Sequence, residues 1–439
     1  MEFKYAWVIL LCVDSAAELN QQNVVQLIWS GEEAPAAAED LQLIPEAVFR
    51  VQDIYSLSAQ DLCQEPADCP FRAQEAFQLA KAASQGHFAL QWLMLAEALA
   101  ELGDSGVELG ELYDRLALAA YEQGNGLWAV YYGRLAAQRG VKGDSSAMLA
   151  EWEAKMKNSG WDGSRATLPP LRNPIRGTEP YLDYQKLCRN EDVKNQDLFC
   201  FLQRSNPFLL LAPFKVELLH TRPLVALVHE VMSRAEADHL QQLAEPKLGT
   251  ATVGKDRKND AFHRATKNMW IPDAADKVAA VLSKRVEAFT GLSVSTAEGL
   301  QLARYTKGGH YRPHYDMGKL DSDDNFIENP GGGAEFNRRI VTVLFYLNQP
   351  SAGGATVFNL LGLSVRPVPR SAVHWPNLDR SGGVDLSTRH AACPVAYGLK
   401  WSANKWLREK GQMHRRPCGL SPNDRWDPVP LQPWRPAAL

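Results

Sequence analysis

Between about Ala47 and Met156, apolar residues recur three and four positions apart, the spacing that gathers them on one face of a helix. Phe71 to Ser84 and His87 to Leu102 are two such runs broken at Gly86, and Trp92, Leu95, Ala96 and Leu99 follow the i, i+3, i+4, i+7 rule. Val107 to Gln123 and Leu127 to Arg139 form a second pair, broken at Gly124. Ser84-Gln85-Gly86-His87 and Glu122-Gln123-Gly124-Asn125 hold matching places, which predicts one helix-turn-helix unit used twice, as in tetratricopeptide repeats. Such stacked pairs leave a concave groove. From 157 to 180 the period is lost among Gly160, Gly163, Pro169, Pro170, Pro174 and Gly177, a linker composition.

Beyond Cys200 the pattern changes to short apolar or alternating runs. Strands are predicted at Phe214 to Leu219, Leu224 to Val228, Ala265 to Ile271, Glu298 to Tyr305 and Arg339 to Leu347. More follow at Gly354 to Phe358, Leu363 to Pro367, Ser371 to Trp375, Arg389 to Val395 and Lys400 to Lys405. Two helices interrupt them, one opened by the capping box Ser233-Arg234-Ala235-Glu236 and one over Asp273 to Thr290. Many short strands with few helices predict a sandwich or jelly roll. The chain is thus α+β: an all-α helical-repeat domain at 47–156, then a β-rich domain at 181–418. Residues 18–46 have too few periodic apolar positions to place, and 419–439 read as a Pro-rich tail. The stretch Met317 to Asn337, with its acidic residues and Gly331-Gly332-Gly333, is expected to be a mobile flap.

A length of 439 residues allows two or three domains, and 45% hydrophobic with 22% charged residues suits ordinary globular ones. The net charge of -4 offers no basic excess, which argues against nucleic acid as a partner. Lys4, the apolar run Tyr5 to Val13 and the small residues Ser15-Ala16-Ala17 predict a secretory signal peptide at 1–17, too short to span a bilayer. No other stretch is long and apolar enough, so no membrane span is expected in the mature chain. Six cysteines then remain: Cys63, Cys69, Cys188, Cys200, Cys393 and Cys418. An even number in an oxidising compartment suggests pairs, with Cys63 and Cys69 placed for a short local loop.

The stretch Gly308-Gly309-His310-Tyr311-Arg312-Pro313-His314-Tyr315-Asp316 carries the candidate chemistry. In an extended strand i and i+2 share a face, so His314 and Asp316 converge. His390, in Ser387-Thr388-Arg389-His390-Ala391-Ala392-Cys393-Pro394, is the candidate third ligand. Two imidazoles and one carboxylate with open positions are the donor set of non-haem Fe(II) oxygenases. His310, His374 and His414 lack a partner at ligand spacing and read as structural or exposed.

Four segments in order extend this reading: Leu302-Ala303-Arg304-Tyr305 leading into Gly308-Gly309, Ser351 to Phe358, Ser387 to Val395, and Gly398-Leu399-Lys400-Trp401. Together they resemble the catalytic α subunit of collagen prolyl 4-hydroxylase, from about Tyr181 to Cys418. The resemblance implies a double-stranded β-helix that hydroxylates peptidyl proline at C4, with Fe(II), 2-oxoglutarate as cosubstrate and ascorbate as the reductant that rescues the iron. It implies that Lys400 binds the cosubstrate carboxylate, with Tyr305 hydrogen-bonded to the same group and Thr342 in the pocket wall. Tyr311, Arg339 and Trp406 fall where the family lines its peptide channel. Tyr121 falls on a tyrosine of its peptide-binding helical domain, which takes proline-rich ligands. Arg115, Leu118 and Arg408 depart from the pattern, the last standing where a histidine is expected.

The resemblance also implies disulfides Cys188-Cys200 and Cys393-Cys418, protein disulfide isomerase as β subunit, and the endoplasmic reticulum lumen as location. The N-terminal segment is shorter than the family's, and the end Arg435-Pro436-Ala437-Ala438-Leu439 carries no retention address. Retention through the partner, without the usual pairing of α subunits, is therefore expected. A hydroxylase of lysine or of other peptides, and a catalytically weak chaperone of proline-rich chains, remain as alternatives.

Overall fold

The computed structural model describes residues 44–157 and 179–420, apart from 63–68, 70, 84–85, 192, 194–198, 206, 252–262 and 318–336. The expected signal peptide, most of the N-terminal segment and linker, the flap, Cys63 and nearly all of the tail lie outside them. The described residues form two compact units, one up to Leu182 and one from Asp183 onward.

The first unit is helical throughout: α1 (Ile44–Tyr55), α2 (Ala73–Ala82), α3 (Gly86–Glu101), α4 (Leu109–Glu122), α5 (Gly126–Gln138) and α6 (Asp144–Met156). The period read from the sequence is the one buried, since Trp92, Leu95, Ala96 and Leu99 all face the core from α3. Each helix from α2 to α6 packs on the next along the chain. The turn between α4 and α5 is local chemistry. Gly124 takes the left-handed φ of +78°, and the Asn125 side chain accepts from the Trp128 N–H to cap α5. Gly86, expected as the break before this run, proves to be the first residue of α3.

The second unit begins within α7 (Glu179–Cys188), a helix that the sequence reading did not place. Its strands are β1 (Cys200–Gln203), β2 (Phe214–Thr221), β3 (Leu224–His229), β4 (Gly249–Thr250), β5 (Arg264–Ala265), β6 (Lys267–Ile271), β7 (Leu300–Tyr305) and β8 (His310–His314). They continue as β9 (Arg339–Tyr346), β10 (Ala352–Gly353), β11 (Thr356–Phe358), β12 (Leu363–Val365), β13 (Ser371–Pro376), β14 (His390–Ala392), β15 (Val395–Tyr397) and β16 (Lys400–Arg408). The major sheet has the order β1-β2-β3-β13-β9-β16-β7-β6-β4, the minor sheet β12-β11-β14-β8-β5, and β10 pairs with β15. The chain is thus a mixed helix and sheet protein whose named strand pairs are antiparallel.

Alternation along β9 explains the layering. Val341, Val343 and Phe345 pack with Ala237 and Leu240 of α8 (Arg234–Ala244) and with Leu282, Val286 and Phe289 of α9 (Lys277–Thr290). Leu344 and Tyr346 point the other way and meet Phe358, Leu363 and Val365 of the minor sheet. Each such side chain contributes about 1.5–3 kcal/mol on burial, and a one-residue slip would turn all of them to the wrong face. The predicted capping box is present: Ser233 accepts from the Glu236 N–H, and Glu236 accepts from the Ser233 N–H. The helix expected from Asp273 starts later, at Lys277, because Asp276 caps it by accepting from the N–H groups of Val278 and Ala279.

The expected cysteine pairing needs correction. Cys188 is bonded to Cys393, so neither Cys188-Cys200 nor Cys393-Cys418 forms. Cys418 is free and exposed, whereas Cys200 and Cys69 are each disulfide-bonded. The reason lies in Pro394, which splits the expected Arg389 to Val395 strand into β14 and β15 and leaves Cys393 fully buried at the turn. There α7 reaches the turn, with the Tyr184 hydroxyl donating to the Ala392 carbonyl at 3.5 Å. Among the described residues no helix is long and apolar enough to cross a membrane.

Candidate metal centre and cosubstrate pocket

β8 and β14 lie side by side in the minor sheet, and their register sets His314 directly opposite His390. The two imidazole centroids are 4.4 Å apart. Asp316 lies in the turn just past β8 rather than in the strand, yet its carboxylate still reaches both rings. Its Oδ1 is 3.7 Å from His314 Nε2 and its Oδ2 is 3.7 Å from His390 Nε2. One donor atom from each of the three residues falls within 4.8 Å of the others. The far nitrogens are occupied: His314 Nδ1 bonds the Arg312 carbonyl at 2.8 Å and His390 Nδ1 bonds the Thr388 carbonyl at 3.0 Å. A carbonyl can only accept, so Nδ1 carries the proton in each ring and both Nε2 lone pairs face the carboxylate, the tautomer a metal ligand requires.

A second layer of hydrogen bonds orients Asp316. The Thr342 hydroxyl donates to Asp316 Oδ2 at 2.5 Å, and Asn377 Nδ2 donates to Thr342 Oγ1 at 2.9 Å. Burial works against ionisation of Asp316, but His390, His314, Arg339 and the Thr342 hydrogen bond outweigh it and hold the pKa at about 2. Burial, helped by the charge of His390, drives His314 down to about 3. A neutral imidazole beside an ionised carboxylate is what a divalent cation needs. The donor set therefore fits iron, with two imidazoles and one carboxylate on one side and space on the other.

That space is a cavity of about 200 Å³ between the two sheets. Lys400, at the start of β16 and opposite Tyr305 on β7, lies on its wall and is only 1% exposed. Its Nζ donates to the Gly354 carbonyl at 2.6 Å and stands 5.3 and 5.6 Å from the Tyr305 and Tyr346 ring centroids. Among the described residues no carboxylate pairs with it. Burial alone pulls its pKa down to about 7. A buried cation with only a carbonyl partner fits the remote carboxylate of a guest such as 2-oxoglutarate. Gly354 is required beside it: its φ is +73°, and a Cβ there would stand 3.3 Å from Lys400 Cδ and 3.0 Å from Pro350 Cγ.

Of the other residues named from the resemblance, Tyr305, Tyr311, Arg339 and Trp406 line the same cavity, whereas Thr342, expected in its wall, is not among the lining residues and instead bonds Asp316. Tyr311 stacks on His314 at 3.6 Å, and Arg339 lies 3.8 Å from the Trp406 ring centroid. Glu298 holds Arg339 by two contacts of 2.6 and 2.8 Å, and Arg339 also donates to the Asp316 carbonyl at 3.3 Å. Arg408 joins this cluster through Glu298 at 2.6 Å. Tyr121 belongs to the helical unit, where it stacks on Trp152 at 4.8 Å and accepts a hydrogen bond from Lys155 Nζ at 3.1 Å. His310 and His374 are buried and His414 is exposed. Arg264, Trp270, Gln301 and Trp375 line the cavity without having been singled out. Each is an isolated polar or aromatic residue in a strand, so only the β5-β8, β6-β7 and β9-β13 pairings reveal it.

Comparison with known proteins agrees with this geometry. Residues 300–408 match the 2OG-Fe(II) oxygenase superfamily. Prolyl 4-hydroxylase subunit alpha-1 of Caenorhabditis elegans is 36% identical over 410 residues, covering 88% of this chain and 72% of that protein. The rat (Rattus norvegicus) prolyl 4-hydroxylase subunit alpha-1 is 35% identical over 414 residues, covering 87% of this chain and 76% of that one. Among solved structures, the viral collagen prolyl hydroxylase of Paramecium Bursaria Chlorella virus-1, in its 2-oxoglutarate complex, aligns at 23% identity with a TM-score of 0.34, covering 42% of this chain and 95% of that one. The chain belongs to the prolyl 4-hydroxylase α-subunit family.

Proposed function

We propose that this chain hydroxylates peptidyl proline at C4 in collagen-like X-Pro-Gly sequences, using O2 and converting 2-oxoglutarate to succinate and CO2. The observation that carries the reading is the meeting of His314, Asp316 and His390 in one cavity with Lys400, a buried cation that no carboxylate among the described residues pairs. His314, Asp316 and His390 would hold Fe(II), which would activate O2 for C–H hydroxylation with 2-oxoglutarate as the two-electron reductant, and ascorbate would restore the reduced metal. Lys400 neutralises the remote carboxylate of the cosubstrate, and Tyr305 stands beside it as a phenol donor. Thr342 fixes the carboxylate of Asp316 and so the direction it offers the metal. Tyr311, Arg339 and Trp406 form an aromatic and cationic wall suited to an extended proline-rich chain, which arrives already ordered and with free carbonyls.

The two facing sheets are read as a double-stranded β-helix, and the successive helix pairs as a tetratricopeptide-like peptide-binding domain in which Tyr121 contacts proline-rich sequence. Protein disulfide isomerase as β subunit and the endoplasmic reticulum lumen as location complete the reading, supported by the signal-like N-terminus and the buried disulfide. Mass spectrometry of a Pro-Pro-Gly repeat peptide incubated with the protein, Fe(II) and 2-oxoglutarate tests the activity. Gain of one oxygen on the proline preceding glycine is expected, and an unmodified peptide refutes the reading.

A further inference from the structure

The cavity wall carries a second buried cation. Arg264, 7% exposed, stands opposite Tyr311 in the β5-β8 ladder, with its guanidinium carbon 4.7 Å from that ring centroid. Its Nη2 donates to Gln301 Oε1 at 3.2 Å, while its Nε–H is buried without a partner. Among the described residues no carboxylate pairs with it. The other arginine on the wall, Arg339, is held by Glu298, a carboxylate that it shares with Arg408.

The charges in the cavity make this arginine unusual. Among the described lining residues Asp316 is the only carboxylate. A divalent metal on Asp316 and a dianionic cosubstrate on Lys400 together would leave those four partners neutral, so among the described residues Arg264 keeps a positive charge that no carboxylate balances. A main-chain carbonyl could accept from its Nε–H but would leave that charge unbalanced. A carboxylate would satisfy both, in the two-pronged geometry that guanidinium favours. Position narrows the source of that carboxylate. Tyr311 lies against both Arg264 and His314, its ring centroid 4.7 Å from the guanidinium carbon and 3.6 Å from the His314 centroid. The guanidinium thus shares Tyr311, a residue of the proposed peptide wall, with a metal ligand, and it also hydrogen-bonds the Tyr305 side chain. A polyproline II chain advances about 3.1 Å per residue, so a side chain one or two positions from the reacting proline reaches it.

We infer that Arg264 is a specificity residue that selects peptides carrying a glutamate or aspartate within about two residues of the reacting proline. The inference rests on the hydroxylase reading above. Peptides of Glu-Pro-Gly, Gln-Pro-Gly and Pro-Pro-Gly repeats, compared by kcat/KM with the full chain, test it. The wild type is expected to favour the Glu peptide over the Gln peptide by at least about tenfold, the size of a charge-assisted contact. In Arg264→Gln that ratio should collapse to about one, and Arg264→Lys should restore part of it. Because each ratio is taken within one enzyme, loss of folded protein cancels. Equilibrium binding of the same peptides, followed by tryptophan fluorescence, should show the same ratio without turnover.

A wild-type ratio of one or below overturns the inference. So does a preference that survives in Arg264→Gln, or a variant that loses both peptides equally while needing more 2-oxoglutarate, which would give Arg264 to the cosubstrate. Oxidation of the Pro-Pro-Gly peptide with no preference for Glu refutes only the role of Arg264. No oxidation of any peptide strikes the hydroxylase reading itself.

Discussion

His314, His390 and Asp316 already have hydrogen-bond partners in the fold, whereas Lys400, elsewhere on the cavity wall, has among the described residues the carbonyl of Gly354. The first arrangement locks both imidazole tautomers and the Asp316 carboxylate before any metal arrives, so little order remains to be imposed by binding. The second keeps a desolvated ammonium in reserve, whose cost is relieved only when a guest carboxylate enters. One end is built for a permanent ligand and the other for one that comes and goes.

The sharpest way to break this contrast is Lys400→Ala. A cosubstrate carboxylate left without its cation costs about 3–5 kcal/mol, so 2-oxoglutarate affinity should fall by two to four decades while divalent metal binding persists. Calorimetric titration of both ligands measures this, and equal 2-oxoglutarate affinity in the variant would place the cosubstrate elsewhere. Thr342→Val acts on the other end. It leaves Asp316 Oδ2 without its donor and Asn377 without its acceptor, and metal affinity should drop about ten- to a hundredfold in competition with a chelator. An unchanged affinity would mean that the metal alone orients the carboxylate.

Proton linkage gives the smallest effect and a signed one. Lys400 titrates near 7 in the empty folded protein against an ordinary 10.5, so between those values the unfolded chain binds more protons and ligand-free stability rises with pH. Cosubstrate binding should run the other way. The dianion favours the charged lysine, so binding takes up a proton above about pH 7 and affinity weakens by up to about tenfold per pH unit. Calorimetry in buffers of different ionisation enthalpy reports the proton, and no uptake at alkaline pH would show that Lys400 is charged before the ligand arrives.

Local chemistry was what the sequence exposed best. The period of Trp92, Leu95, Ala96 and Leu99 places α3 because helix packing follows spacing alone, and Ser233 with Glu236 marks α8 because a capping box is complete within four residues. His314, Asp316 and His390 were legible as a donor set, although Asp316 meets its partners from a turn and not from the strand face. Cysteine pairing was hidden because it depends on how Pro394 breaks a strand and on a helix, α7, that carries little apolar period. Arg264 was hidden for a related reason. Nothing near it in sequence distinguishes it from a surface arginine, and only the pairing of β5 with β8 sets it against Tyr311.

The central claim is that one cavity couples cosubstrate decarboxylation to proline oxidation through His314, Asp316 and His390. Succinate and hydroxyproline measured in the same reaction, for wild type and His390→Ala side by side, test it most directly. Equal amounts of the two products from the wild type and neither from the variant are predicted. Hydroxyproline formed by His390→Ala at near wild-type rate would contradict the account.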